Sequence, residues 1–145
     1  MGTIKNVLVP VDGSESAMRA VGWVSSVLAG QTGARVHLLT VRPTVDAWEA
    51  RSHLGAEDIT TFEADAAAAV LDPAAAIVRA TGVKVATHAA VGNDVPEAIV
   101  AHVQGQGCDA IVMGTRGLGA LQTVLLGSTT LKVIHLADVP VTVIK

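Results

Sequence analysis

Cysteine is nearly missing from this chain: Cys108 is the only one among 145 residues. No internal disulfide can form, and a thiolate metal site has too few ligands. That usage fits a reducing, cytoplasmic setting. Aromatic residues are scarce as well, with Trp23, Trp48, Phe62 and no tyrosine. A stacking platform for single-stranded nucleic acid therefore lacks its main component. Positive charge shows no excess either. The net charge is −3, acids and bases are interspersed, and no basic stripe marks a nucleic-acid surface. Half of the residues are apolar, yet the longest apolar runs are far too short to span a bilayer. The opening segment meets an acid at Asp12 and lacks a small-residue cleavage site, so it does not read as a signal peptide. Asn6 stands where a myristoylation signal requires Ser or Thr. The expectation is a protein with no nucleic-acid and no membrane partner.

What is present is a regular alternation of strand-like and helix-like segments. Residues 3–11, 34–41, 83–91, 109–114 and 140–145 are short runs rich in Val and Ile. The first, second and fourth are apolar nearly throughout, as strands covered on both faces are. Between them, residues 14–33 place Ala17, Ala20, Val21, Val24, Val27 and Leu28 on one helical face, with Ser14 as N-cap and Gly30 or Gly33 as stop. Residues 55–72 are helical and Ala-rich, and Asp72-Pro73 reads as a cap and first-turn pair, which predicts a kink or restart there. Residues 93–107 form a third helix, capped by Asn93 or Asp94 with Pro96 in its first turn, and residues 128–138 a fourth. Residues 42–55 have no clear period and read as a flexible loop near the carboxyl edge of the sheet. The pattern β-α-β-α-β-α-β-α-β argues for an α/β fold: a doubly wound parallel sheet with helices on both faces.

In such sheets ligands bind beyond the carboxyl ends of the strands, where strand order reverses. Two of those ends look prepared for chemistry. The first strand runs into Asp12-Gly13, and the fourth opens the segment GTRGLGALQTVLLGST, residues 114–129. That segment has four glycines, Arg116 as its one charge, and no acid. Gly114 and Gly117 permit close backbone approach and positive φ. Gly127-Ser128-Thr129 then starts a helix, whose free N–H groups and dipole attract an anion. The whole is suited to phosphates. It is neither a Walker A loop nor a dinucleotide fingerprint, since no G-K-[ST] is present and Gln122 stands where a third glycine belongs.

The spacing Gly114-x2-Gly117-x9-Gly127-Ser128 resembles the G-2x-G-9x-G-[ST] signature of the universal stress protein family. Residues 7–21 and 137–145 resemble that family's opening strand and helix and its closing strand. The resemblance covers residues 1–145 in order, as one domain. It implies a five-stranded parallel sheet of order 3-2-1-4-5, Rossmann-like, and an ATP-binding subclass. By the same resemblance Pro10, Val11 and Val41 line the adenine, Asp12 contacts the ribose or adenine, and Met113 and Gly114 pass beneath the sugar. Gly117, Gly127, Ser128 and Thr129 hold the phosphates of ATP, ADP or AMP, with Mg2+ or Mn2+ bridging them, and Arg116 sits in the same loop. The resemblance also implies a homodimer through strand 140–144, whose exposed edge invites pairing, and a downstream protein partner whose identity the residues do not give.

Other chemistry-bearing residues read as structural. His37, His53, His88, His102 and His135 are scattered, with no pair at metal-ligand spacing on one helix face, and His37 lies in an apolar strand as a satisfied core residue. Ser14 is a cap, Asp94 and Glu97 complement a helix dipole, and Cys108 is inert. Trp48 reads as a loop anchor. No general base stands beside the phosphate site, so no residue is assigned a catalytic role. The expected function is an ATP-binding stress-response regulator, a dimeric nucleotide-dependent switch with at most slow hydrolysis. The alternatives are a genuine ATPase or phosphotransferase, with Ser128 or Thr129 accepting phosphate, and a nucleotide-free interaction module.

Overall fold

In the computed structural model of the chain, the described residues are 2–44, 56–115 and 125–145, with backbone alone for 56–62. The elements run β1 (Asn6–Pro10), α1 (Glu15–Leu28), β2 (Arg35–Arg42), α2 (Ala56–Ala80), β3 (Lys84–Val91), α3 (Val95–Gln106), β4 (Ala110–Gly114), α4 (Ser128–Leu136) and β5 (Val141–Ile144). The strands form one parallel sheet in the order β3-β2-β1-β4-β5. This is the order the family resemblance implies.

Two apolar layers hold the helices on. Strand periodicity sends alternate side chains to opposite faces. Val7, Val9, Val36, Leu38 and Val112 face α1 and α2, where they meet Ala17, Val21, Val24, Leu71, Ala75 and Val78. Leu8, Leu39, Ile111 and Met113 face α3 and α4, where they meet Ile99, Val103 and Val133. Both faces of β1, β2 and β4 are covered, which is why their sequences are apolar almost without alternation. Each fully buried Leu or Ile of these layers, such as Leu8 or Ile111, stabilises the fold by about 1.5–3 kcal/mol.

Local chemistry sets the helix ends. Ser14 caps α1 by accepting the Ala17 N–H, and Asp94 caps α3 by accepting the Glu97 N–H, with Pro96 in the first turn. Beyond α1, Gly30 and Gly33 both adopt positive φ, and Gly107 ends α3 in the left-handed conformation.

Of the kink or restart expected at Asp72-Pro73, the restart does not occur. α2 runs unbroken from Ala56 to Ala80 with Pro73 inside it. Proline removes one N–H donor, but Leu71 before it and Ala74, Ala75 and Val78 after it are buried on the same sheet face. Packing of both halves against one surface outweighs the lost hydrogen bond. Most of the 42–55 loop, including Trp48 and His53, lies outside the described residues.

Candidate functional site

Strand order reverses between β1 and β4, because α1 and α2 lie on one face and α3 and α4 on the other. Their carboxyl ends define the candidate site. Past β1 the backbone stays in register for one more residue, as Val11 donates to the Leu39 carbonyl at 2.8 Å. The chain then turns. Asp12 is exposed, and its Oδ1 accepts the Ser14 N–H at 2.9 Å. Gly13 has φ +87°, a conformation in which a side chain is strained. The carboxylate of Asp12 is thereby fixed at the mouth of the sheet by its own turn.

Past β4 the geometry is tighter. A Cβ on Gly114 would lie 2.7 Å from Ser16 C and 2.8 Å from Ala17 N, in the first turn of α1. Gly114 is not among the glycines with positive φ. The expectation that it supplies positive φ is therefore corrected: it is glycine because the end of β4 lies directly against the α1 backbone. The residues that follow are tied down on both sides. Thr115 is buried, its N–H donates to the Ile144 carbonyl at 3.0 Å, and its carbonyl accepts the Gly127 N–H at 2.7 Å. The Thr130 hydroxyl donates to the Gly114 carbonyl at 3.1 Å. Residue 127 and the start of α4 are thus pinned to the end of β4. Arg116 and Gly117 belong to residues 116–124, which lie outside the described set.

The α4 N-terminus differs from the two capped ends described above. Gly127 is its N-cap, no side chain among the described residues accepts a first-turn N–H, and the first turn has no acid. Ser128 is exposed and Thr129 half-buried at the first two helical positions. Among the described residues, this helix end therefore keeps N–H donors without side-chain acceptors and a positive dipole end without a neighbouring acid. It lies next to the end of β4, so the anion-attracting group and Asp12 belong to the same mouth.

The remaining expected site residues divide between the two faces. Val41 and Met113 pack with the α3–α4 layer, and Pro10 follows Leu8 by two residues on that same face. Val11 is buried in the opposite layer beneath α1 and α2. Its side chain points away from Val41 and Met113, and only its backbone is available to the shared mouth. Among the described residues, no group of three His, Cys, Asp or Glu side chains is placed to hold a metal ion. A cleft of about 150 Å³, lined by Val103, Cys108, Ile111, Ala137 and Val139 among others, lies at the amino end of β4, opposite the mouth.

Sequence reasoning missed two arrangements. The tether of Thr115 and Thr130 was one, since neither residue type nor spacing announces it. The other is the meeting of His37, His88 and His102. The signal for it was present: in the order 3-2-1, β2 and β3 are neighbours, and both strand histidines have the parity of the α3 face.

The model of the universal stress protein family matches residues 3–145. The chain belongs to the universal stress protein family. A universal stress protein of Thermus aquaticus is 32% identical over 141 residues, covering 97% of this chain and 98% of that one. Among solved structures, the hypothetical protein MJ0577 superposes with a TM-score of 0.80 at 28% identity, covering 99% of this chain and 97% of that one. A universal stress protein of Archaeoglobus fulgidus, solved in complex with dAMP, is 26% identical with a TM-score of 0.70 over the whole of both chains.

Proposed function

We propose that this universal stress protein binds an adenine nucleotide across the carboxyl ends of β1 and β4 and works as a nucleotide-dependent switch. The observation that carries this is the α4 N-terminus: uncapped, free of acid and pinned by Thr115 and Thr130 beside the strand-order reversal. The phosphates of ATP, ADP or AMP take the N–H groups of that turn and the hydroxyls of Ser128 and Thr129. Asp12 accepts from the ribose or adenine, with Pro10, Val41 and Met113 as the apolar wall and Arg116 and Gly117 in the connecting loop. The dAMP complex of the Archaeoglobus fulgidus relative supports this reading.

A divalent ion fits only as part of the nucleotide. With no group of three His, Cys, Asp or Glu side chains placed to hold a metal ion among the described residues, Mg2+ or Mn2+ would be held chiefly by phosphate oxygens, with a hydroxyl of Ser128 or Thr129 added. No described side chain at the mouth is placed as a base for water, so hydrolysis is slow at most. The switch acts through the dimer edge. β5 is the outermost strand, and Leu131 and Ile134 of α4 beside it are 53% and 43% exposed. Two chains pair there, and the partner downstream reads the paired form.

Ser128→Glu tests the phosphate site with two opposite signs. A carboxylate in the first turn of α4 raises the stability of the nucleotide-free protein by about 0.3–1 kcal/mol. It also repels phosphate, so the melting shift produced by millimolar ATP and Mg2+ disappears. An ATP-induced shift that survives unchanged in Ser128→Glu contradicts the proposal. Sedimentation of the wild type as a monomer at micromolar concentration contradicts the dimer.

A further inference from the structure

His37, His88 and His102 come from β2, β3 and α3 and meet on the α3 face of the sheet. His37 pairs in register with Ala86 and His88 with Leu39, so the two rings are diagonal neighbours across β2 and β3. His37 Nδ1 lies 3.1 Å from His88 Nε2, and the rings stack with centroids 5.3 Å apart and planes 16° apart. His102 meets His88 edge-on, at 4.9 Å and 65°. His37 is only 4% exposed, whereas His88 and His102 are half-buried. The Nε2 atom of His102 is buried with no hydrogen-bond partner among the described residues.

The hydrogen-bonding rules of imidazole make this arrangement sensitive to protons. A neutral ring has one donor and one acceptor nitrogen, and a protonated ring has two donors. The His37–His88 bond needs one N–H facing one lone pair. If both rings are protonated, two N–H groups face each other at that distance and the bond is lost. The surroundings oppose a charge as well. From β2, Arg35 lies on the same strand face as His37; from β3, Lys84 stands opposite Arg35 and has the parity of His88. The one charged residue of α3 is Glu97, exposed in its first turn. Burial first, then His88, Arg35 and His102, hold the His37 proton affinity below its ordinary value; burial and then His102 do the same for His88.

We propose that these three histidines form a proton-sensitive clasp that ties α3 to the β2–β3 edge when neutral and releases it in weak acid. β2 and β3 are joined by eight consecutive backbone pairs, so they do not separate. The joint that yields is the one made by side chains alone, between His88 and His102. Acid therefore loosens the middle of α3 from the β2–β3 edge, while the strand pairing itself stays in place.

Two measurements on the full-length chain test this. Ring C–H signals followed by NMR between pH 8 and 4.5 should show His37 and His88 titrating below about 6.5. In His88→Gln the His37 midpoint should rise, because a neighbouring positive charge has been removed. In parallel, amide protection in α3 around His102, corrected for intrinsic exchange, should fall on acidification from pH 7.5 to 5.5. Between those pH values each histidine can contribute up to about a tenfold loss in the closed-to-open ratio, because pH 5.5 lies one unit below the ordinary value of about 6.5. This loss should shrink in His88→Gln and persist in His135→Gln, which alters an exposed histidine of α4. If His88→Gln does not fold, His102→Gln leaves the His37–His88 bond in place and should show the same reduced loss of α3 protection. A His37 midpoint at or above 6.5 overturns the clasp. So does α3 protection whose fall with pH is the same in wild type and in the folded cluster variants.

Discussion

Gly114→Ala is the sharpest probe of how the end of β4 is positioned. The new Cβ would meet Ser16 C at 2.7 Å and Ala17 N at 2.8 Å, against ordinary contacts of 3.4–4 Å. Both are backbone atoms, so no rotamer change relieves the overlap. The neighbouring structure must shift by more than half an ångström, and it is held on each side. α1 is capped by Ser14 and anchored through Ala17, Ala20 and Val21, while Gly114 pairs with Ile144 and accepts from Thr130. Overpacking of this kind costs about 1–3 kcal/mol, and the rigid surroundings place this case near the top, at about 3 kcal/mol. For a chain of this size that is a fall in melting temperature of roughly 6–12 °C. Gly22→Ala is the control. It also adds one methyl group, but in the interior of α1 with nothing within 4 Å. There the substitution should stabilise by about 0.5–1 kcal/mol. Thermal unfolding followed by circular dichroism reads both. A Gly114→Ala protein melting with or above the wild type would refute the close approach, and with it the geometry of the mouth.

Further substitutions test the supporting structure. Asp109 Oδ2 accepts the N–H groups of Asn6 at 2.8 Å and Lys5 at 2.9 Å, which dock the start of β4 on β1. Asp109→Ala should destabilise by about 1–2 kcal/mol in denaturant titration. The Asn6 N–H first, then that of Lys5, hold this carboxyl below the usual carboxylate range. Its contribution is therefore complete above about pH 3.8 and disappears as pH falls through the lowered value, so wild type and variant should converge in acid. Burial, assisted by Asp109, pushes the Cys108 thiol up to about 11. Its alkylation at pH 8 should be about two orders of magnitude slower in the native protein than in the unfolded chain, and equal rates would contradict the burial. Ser14→Ala removes the α1 cap and should cost about 1 kcal/mol, measured by chemical denaturation.

The architecture was legible because periodicity and composition report burial. Strands apolar on both faces, such as residues 109–114, identify a covered parallel sheet, and Ser14 and Asp94 mark helix starts through backbone chemistry that belongs to those residue types. Pro73 does not restart the helix because both halves of α2 pack on one surface, which a local rule about proline does not include. At Gly114 the expected positive φ is absent and the close approach is to the α1 backbone, a distinction that composition cannot make. The histidines looked scattered because linear spacing tests one helix face, whereas His37, His88 and His102 are joined by strand register and a crossover helix. The mouth itself was found through topology, since strand ends at the reversal of order converge whatever the side chains are. Capping set it apart from other helix ends, because Gly127 at the N-cap leaves the first turn of α4 without a side-chain acceptor.

In the proposed complex, phosphate sits at that turn. Titration of isotope-labelled protein with ATP and Mg2+, followed amide by amide, addresses it directly. Saturable shifts of the Gly127, Ser128, Thr129 and Thr130 amides with one common affinity are expected, accompanied by Gly13 and Ser14 at the other side of the mouth. Saturable binding that leaves the amides of 127–130 unmoved, or no shift anywhere at millimolar nucleotide in the folded protein, would contradict it.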